Sequence, residues 1–387
     1  MMDLAIVMHN KESIPDASTE QEAGSDATMD RIVAFENSII PHKALENAEG
    51  TIRKLQSRYR PPGQPQLKAR ALLLVGESGS GKSTVLESYF EHNKPKTLAE
   101  AESEDGDIRP VVMVEVPQQP GRRQFVAAIM GELSYKVKDD WDTSEIIRKI
   151  SYYCRELQVQ VLLIDEAHHI VEGKKQDAEE DISEFIKSLL NRCRVQIVLS
   201  GLPSLLKLRE YKQLKRRLQA PVQLRPYNWS TLEGRAEFLA VLTQFEEQAA
   251  LPMSSNLADH EVAKRIYCAT GGHIGLVSKY LSEALERAID EGKEVLDLEL
   301  LAEVYAAFED QDEDNDELLD DFDAKPRAKK SQKKRTAGNP FLATNAELKV
   351  LWMVMKDKRD EMVKAAKRRN SRETRFKGTR GEPKVFA

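Results

Sequence analysis

Two short runs of this chain carry residue types suited to handling a phosphate chain. The first is Gly76, Glu77, Ser78, Gly79, Ser80, Gly81, Lys82, Ser83 and Thr84, directly behind the apolar stretch 71–75. Glycines at these spacings let the backbone curl until successive N–H groups face phosphate oxygens at a helix N-terminus. Lys82 is expected to reach the β- and γ-phosphates of a nucleoside triphosphate, and the Ser83 hydroxyl to complete the coordination of Mg²⁺. The second run is the apolar stretch 161–164, closed by Asp165 and Glu166. An acid at the end of such a strand can hold Mg²⁺, the role expected of Asp165, and Glu166 is placed to orient and deprotonate an attacking water. Each run alone has a plain alternative, a Gly/Ser turn capping a helix or an acidic helix cap.

Together, about 80 residues apart, they describe a P-loop NTPase. Asp165, Glu166, Ala167 and His168 also spell a helicase signature. That class needs a second strand-and-loop unit, and about 220 residues follow without one. His168 and His169 are not expected to ligate a metal: adjacent histidines point different ways and no other Cys or His lies at ligand spacing. They are expected to pack at the start of the next segment, or one of them to sense nucleotide.

These motifs need a parallel sheet to position them. The alternation of apolar runs and helical periodicity predicts strands at 71–75, 111–116, 159–164, 195–199 and 221–224, with helices at 82–92, 125–133, 143–158 and 182–193. After Trp229 the pattern is helical throughout, at 231–249, 259–269, 274–291 and 297–308. Helical spacing within 31–60 ends at Pro61, Pro62 and Gly63, and 348–369 reads as one more helix, isolated beyond a linker. The expected division is a disordered 1–30, an α/β nucleotide-binding domain with an N-terminal helical extension over 31–228, a lid over 229–308, an acidic then basic linker over 309–340, and a basic, partly helical tail over 341–387.

With 387 residues, 41% hydrophobic and 32% charged, and a mean hydropathy of −0.52, the chain can bury a substantial core. No membrane span or apolar leader is expected, and the three scattered cysteines suggest no disulfide framework, which reads as cytoplasmic. The net charge of −6 conceals a segregation. Residues 309–323 carry ten acids and no base, whereas 325–387 carry 20 Lys/Arg against 6 Asp/Glu. A basic tail of this kind is attracted to nucleic-acid phosphate, although a protein partner is equally compatible with its composition.

The chain is similar to AAA+ ATPases and, more narrowly, resembles the TniB/TnsC family of transposition regulators over about residues 40–310. The likeness rests on Arg60-Pro61-Pro62-Gly63, the run from Val75 to Lys82, the run from Leu163 to His169, and Gly271-Gly272-His273-Ile274-Gly275. Gly338-Asn339-Pro340-Phe341 in the tail is a further match. The resemblance implies an AAA+ P-loop parallel sheet flanked by helices, followed by a small all-helical lid and a basic C-terminal tail. It implies ATP and Mg²⁺ as ligands, Ser200 as the polar sensor at the tip of the strand after Asp165, and an arginine finger at Arg216 or Arg217. Where such lids commonly carry an arginine, this chain has Leu276, with Lys279 a turn further on. Either Lys279 substitutes, or the lid reaches no phosphate through a guanidinium, which suits slow turnover.

The resemblance further implies a homo-oligomer, ring or filament, assembled on duplex DNA through sequence-tolerant backbone contacts, with Arg122, Arg123, Lys174 and Lys175 as candidates. The tail would contact a transposase, a separate protein would select the target, and hydrolysis would disassemble the polymer. The alternatives are a non-catalytic ATP-bound scaffold and a loader or remodeller of the origin-recognition or signalling kind.

Overall fold

The computed structural model describes residues 29–61, 63–65, 67–94, 108–118, 122–133, 141–171, 176–308 and 338–357. The expectations for residues 1–28, for the acidic run, for the tail beyond 357 and for Lys174 and Lys175 lie outside them. Five strands form one parallel sheet: β1 (Ala71–Gly76), β2 (Val111–Glu115), β3 (Val161–Asp165), β4 (Gln196–Gly201) and β5 (Val222–Leu224), in spatial order β2-β3-β4-β1-β5. β1, β3 and β4 are buried along their whole length. They are apolar on both faces because helices cover both faces, as parallel sheets require.

Side chains alternate between two cores. Leu73, Val75, Leu162, Ile164, Ile197 and Leu199 face one core with Phe125, Ile150 and Phe185, which come from α4 (Arg122–Glu132), α5 (Thr143–Glu156) and α6 (Gln176–Arg192). Leu72, Leu74, Val161, Leu163 and Val198 face the other with Ile52, Leu55, Leu86 and Tyr89, from α2 (Lys43–Gln56) and α3 (Lys82–Glu91). α4 and α6 begin earlier than their apolar periodicity predicts, so Arg122 opens a helix rather than lying in a loop.

A short helix, α7 (Lys212–Lys215), precedes β5. The lid then follows as α8 (Leu232–Ala249), α9 (His260–Thr270), α10 (Ile274–Asp290) and α11 (298–308), with its own core of Phe238, Phe245, Tyr267, Leu281, Leu285 and Leu301. Among the described residues no helix is long and apolar enough to cross a membrane. All three cysteines are free thiols.

The helical spacing within 31–60 resolves into two helices, α1 (29–36) and α2, which starts behind His42. α1 belongs to the lid, where Phe35 packs against Phe245 and the Arg31 guanidinium donates to the Ala249 carbonyl at 2.6 Å. One expectation is corrected: the tail helix α12 (345–357) is not isolated. Just ahead of it Phe341 is buried in the lid, stacked on Tyr280 at 5.5 Å, while Arg265 donates to the carbonyls of Pro340, Phe341 and Ala343.

Candidate active site

The phosphate loop leaves the buried β1 and turns through Glu77–Gly81 into α3, with the Ser80 N–H donating to the Glu77 carbonyl at 3.2 Å. Lys82, buried at the first position of α3, folds back and donates to that same carbonyl at 2.9 Å. Burial lowers its pKa, an effect opposed by the negative charges of Glu166, Asp165 and Glu77. The ammonium is therefore held in a partly desolvated position inside the loop, where a phosphate would be its natural partner.

β3 delivers the acids. β4 separates it from β1, yet Ser83 on α3 reaches across and donates to Asp165 Oδ2 at 2.7 Å. Asp165 Oδ1 accepts the Glu166 N–H at 2.9 Å. This pair of hard oxygen donors suits Mg²⁺, which prefers oxygen ligands and keeps part of its water shell. Glu166 takes a left-handed backbone (φ 51°) that ends the strand and leaves its carboxylate partly exposed beside His168 and His169. A side chain held in this sparsely populated region is the kind of local strain that surrounding structure must impose.

Ser200 lies on β4, in register with Leu74 of β1, and is fully buried. Its hydroxyl has no hydrogen-bond partner among the described residues, and neither does that of buried Ser80 in the phosphate loop. A buried hydroxyl without a partner forfeits about 1–3 kcal/mol. Two at the carboxyl end of the sheet fit a site shaped to donate to phosphate oxygens or an ordered water. The sheet thus brings Lys82, Ser83, Asp165, Glu166 and Ser200 to its carboxyl end, where open parallel sheets bind their ligands.

The lid closes directly on the loop. The Gly275 N–H donates to the Gly79 carbonyl at 2.8 Å, and a Cβ on Gly275 would lie 2.8 Å from that oxygen. Gly79 (φ +69°) is packed against the Leu276 side chain. Lys279 lies over the ring of Phe308 at 5.0 Å within the lid. Gly272 accepts the Tyr227 N–H at 2.9 Å, and the Tyr227 ring approaches His42 at 6.5 Å. The two rings belong to residues just past β5 and at the N-cap of α2. Burial lowers the pKa of His42 and raises that of Tyr227. No motif marks either residue in the sequence, since each is isolated among unremarkable neighbours.

The two finger candidates separate clearly. Arg217 is bound within its own chain, donating to the Ala69 carbonyl at 3.1 Å and to Asn191. Arg216 is exposed; its backbone N–H caps α7 on the Leu214 carbonyl, and its guanidinium makes no hydrogen bond among the described residues. Both arginines line a basic pocket of about 380 Å³ with Lys68, Arg70, Lys187 and Gln213. A second basic surface gathers Arg148, Lys149, Tyr152 and Arg155 along one helix, α5, with Arg192 brought beside them from the end of α6. Among the earlier DNA candidates, Arg123 donates to the Trp141 carbonyl.

The family model described as bacterial TniB protein matches residues 35–229, half of the chain. Among solved structures the chain is similar to Cdc6p from Pyrobaculum aerophilum, at 16% identity and a TM-score of 0.50, over 70% of this chain and 69% of that one. It is equally similar to the Aeropyrum pernix ORC2 protein in its ADPNP–ADP complexes, at 16% identity and a TM-score of 0.50, over 70% and 71% of the two chains. At this identity the likeness is one of fold. No curated protein sequence matches the chain.

Proposed function

From the premise that this chain belongs to the bacterial TniB protein family and has the fold of an AAA+ ATPase, we propose that it binds ATP, hydrolyses it slowly, and uses the ATP state to assemble on duplex DNA and engage a transposase. The observation that carries the nucleotide reading is the 2.7 Å link between Ser83 and Asp165, set beside buried Lys82 and the partnerless Ser200 hydroxyl. The loop N–H groups and Lys82 hold the phosphate chain, and the neighbouring rings of His42 and Tyr227 take the base. Ser83 and Asp165 hold Mg²⁺, which would neutralise phosphate charge.

Glu166 accepts the proton of the attacking water, and Ser200 holds that water or the terminal phosphate. Arg216, exposed at the chain's edge, enters the site of a neighbouring copy, which makes hydrolysis depend on assembly. Arg217 is a structural residue. Leu276 in the lid supplies no charge to the transition state, which favours a protein that dwells in its ATP state.

DNA contact is supported by the basic surface at Arg148, Arg155 and Arg192, with exposed Tyr152 among them, since phosphate-directed binding needs clustered cations. Arg122, Arg123, Lys174 and Lys175 remain part of the proposal. Because the run from Asn339 to Phe341 anchors in the lid, the surface offered to a transposase is the outer face of α12, with Val350, Met353 and Val354 exposed, and the tail beyond it. A target-selecting protein would act upstream of this step.

The test is duplex-DNA binding with ATP, a non-hydrolysable analogue, ADP and no nucleotide, with Lys82→Ala as control. Tight binding only with the triphosphates, lost in Lys82→Ala, is the expected result. Binding indifferent to nucleotide that survives Lys82→Ala would refute ATP-gated assembly and bring the loader or remodeller forward.

A further inference from the structure

Next to the Ser83–Asp165 pair the fold assembles a second donor set, two members of which have no part in the proposed hydrolysis. Glu166 Oε2 lies 3.3 Å from His168 Nδ1 and 3.8 Å from His169 Nε2. One ligand atom from each of the three residues falls within 4.8 Å of the others. The expectation that adjacent histidines diverge fails for a local reason. The left-handed backbone of Glu166 leads into a 3₁₀ turn, Ala167–Ile170, that sets the two imidazoles side by side, 4.2 Å between centroids and 32° apart. The end of β4 presses on this turn, since a Cβ on Gly201 would come within 2.8 Å of the His168 backbone nitrogen.

We propose that Glu166, His168 and His169 bind a divalent first-row transition-metal ion, Zn²⁺ foremost, and that the bound ion suppresses ATP hydrolysis. Two imidazole nitrogens and one carboxylate oxygen form a three-ligand zinc set with a fourth position open to water. Imidazole nitrogen selects zinc, copper or nickel over Mg²⁺, which takes oxygen. In a tetrahedral site with bonds of about 2.05 Å the ligand atoms stand about 3.3 Å apart, so both observed separations to Oε2 lie within about 0.5 Å of that geometry. His168 is buried and fixed, while the side chains of Glu166 and His169 are 34% and 23% exposed, which leaves a path for entry. An ion on Oε2 occupies the electron pair that would accept the water proton. Nucleotide then stays bound, hydrolysis stops and the assembly persists. This consequence rests on the proposed role of Glu166; the binding itself does not.

The experiment titrates Co²⁺, a spectroscopic substitute for zinc, into the full chain without nucleotide. The expected result is one Co²⁺ per chain with visible d–d absorption and no thiolate-to-metal charge transfer, because the donor set contains no sulfur. Loss of an outer-shell partner alone weakens metal binding about 10–100-fold, so His169→Ala and His168→Gln should each weaken it at least about 10-fold. Circular dichroism and thermal melting check that both variants are folded. His169, the more exposed, keeps the test decisive if the His168 variant does not fold. Absence of stoichiometric Co²⁺ binding, or binding that survives His169→Ala, overturns the proposal. A second arm compares ATPase rates with and without Zn²⁺ within each variant: inhibition reversed by a chelator is expected in the wild type and lost in His169→Ala. If Co²⁺ binds as expected but no ATP is hydrolysed at all, the hydrolysis reading fails and the metal site stands.

Discussion

The two walls of the phosphate cleft are built on different physics. On the sheet side, Lys82, Ser83, Asp165, Glu166 and Ser200 place charge and hydroxyls on strand ends and a helix start whose supporting residues are buried on both faces. On the lid side, the contacts with the loop include a backbone N–H from Gly275 and the apolar side chains of Ile274 and Leu276. One wall carries the groups suited to chemistry; the other closes by shape and a neutral backbone hydrogen bond. In such an arrangement a substitution in the sheet wall should change rate, and one in the lid should change closure and stability.

The largest effect that would sharpen this contrast is that of Glu166→Gln. Removal of a general base lowers rate by about 10²–10⁴-fold, so ATP turnover should fall by that factor while nucleotide affinity, measured by calorimetry, stays within about twofold. Persisting turnover would remove Glu166 from the role of base. Next in size is Phe341→Ala. A buried phenylalanine cut to alanine destabilises by about 3–5 kcal/mol, and the loss should appear as hydrogen exchange confined to α9, α10 and α11 with the sheet amides unchanged. If sheet and lid loosen together, the two cores are not separable units.

The smallest expected effect is that of Gly275→Ala. Its Cβ would crowd the Gly79 carbonyl, and overpacking of this kind costs about 1–3 kcal/mol, so ATP should bind about 10-fold more weakly. An unchanged affinity would mean that the lid contact plays no part in holding nucleotide.

The sheet and its motifs were legible because their signals are local. An apolar run followed by the glycine loop locates β1 and Lys82 within a dozen residues, and 161–166 does the same for Asp165 and Glu166. Strand ends shifted by a residue or two, and α4 and α6 began earlier than predicted, because polar first turns carry no periodicity to read. The lid helices were visible from spacing. Their attachment was not: Phe341 reaches Tyr280 across a long stretch of chain, and α1 joins α8 from the other end of the sequence, contacts that no local pattern encodes.

What the sequence alone determined is the chemistry on offer: a phosphate loop, an acid pair on a central strand and a polar strand tip at Ser200. Tertiary structure decided which of those groups meet and which are already committed. It bound Arg217 within its own chain and left Arg216 exposed, engaged Lys279 over Phe308, and turned His168 and His169 toward one carboxylate. The physical reason is range. A strand or glycine turn is specified by its own residues and their neighbours, whereas a side chain's partner depends on how elements far apart in sequence pack together.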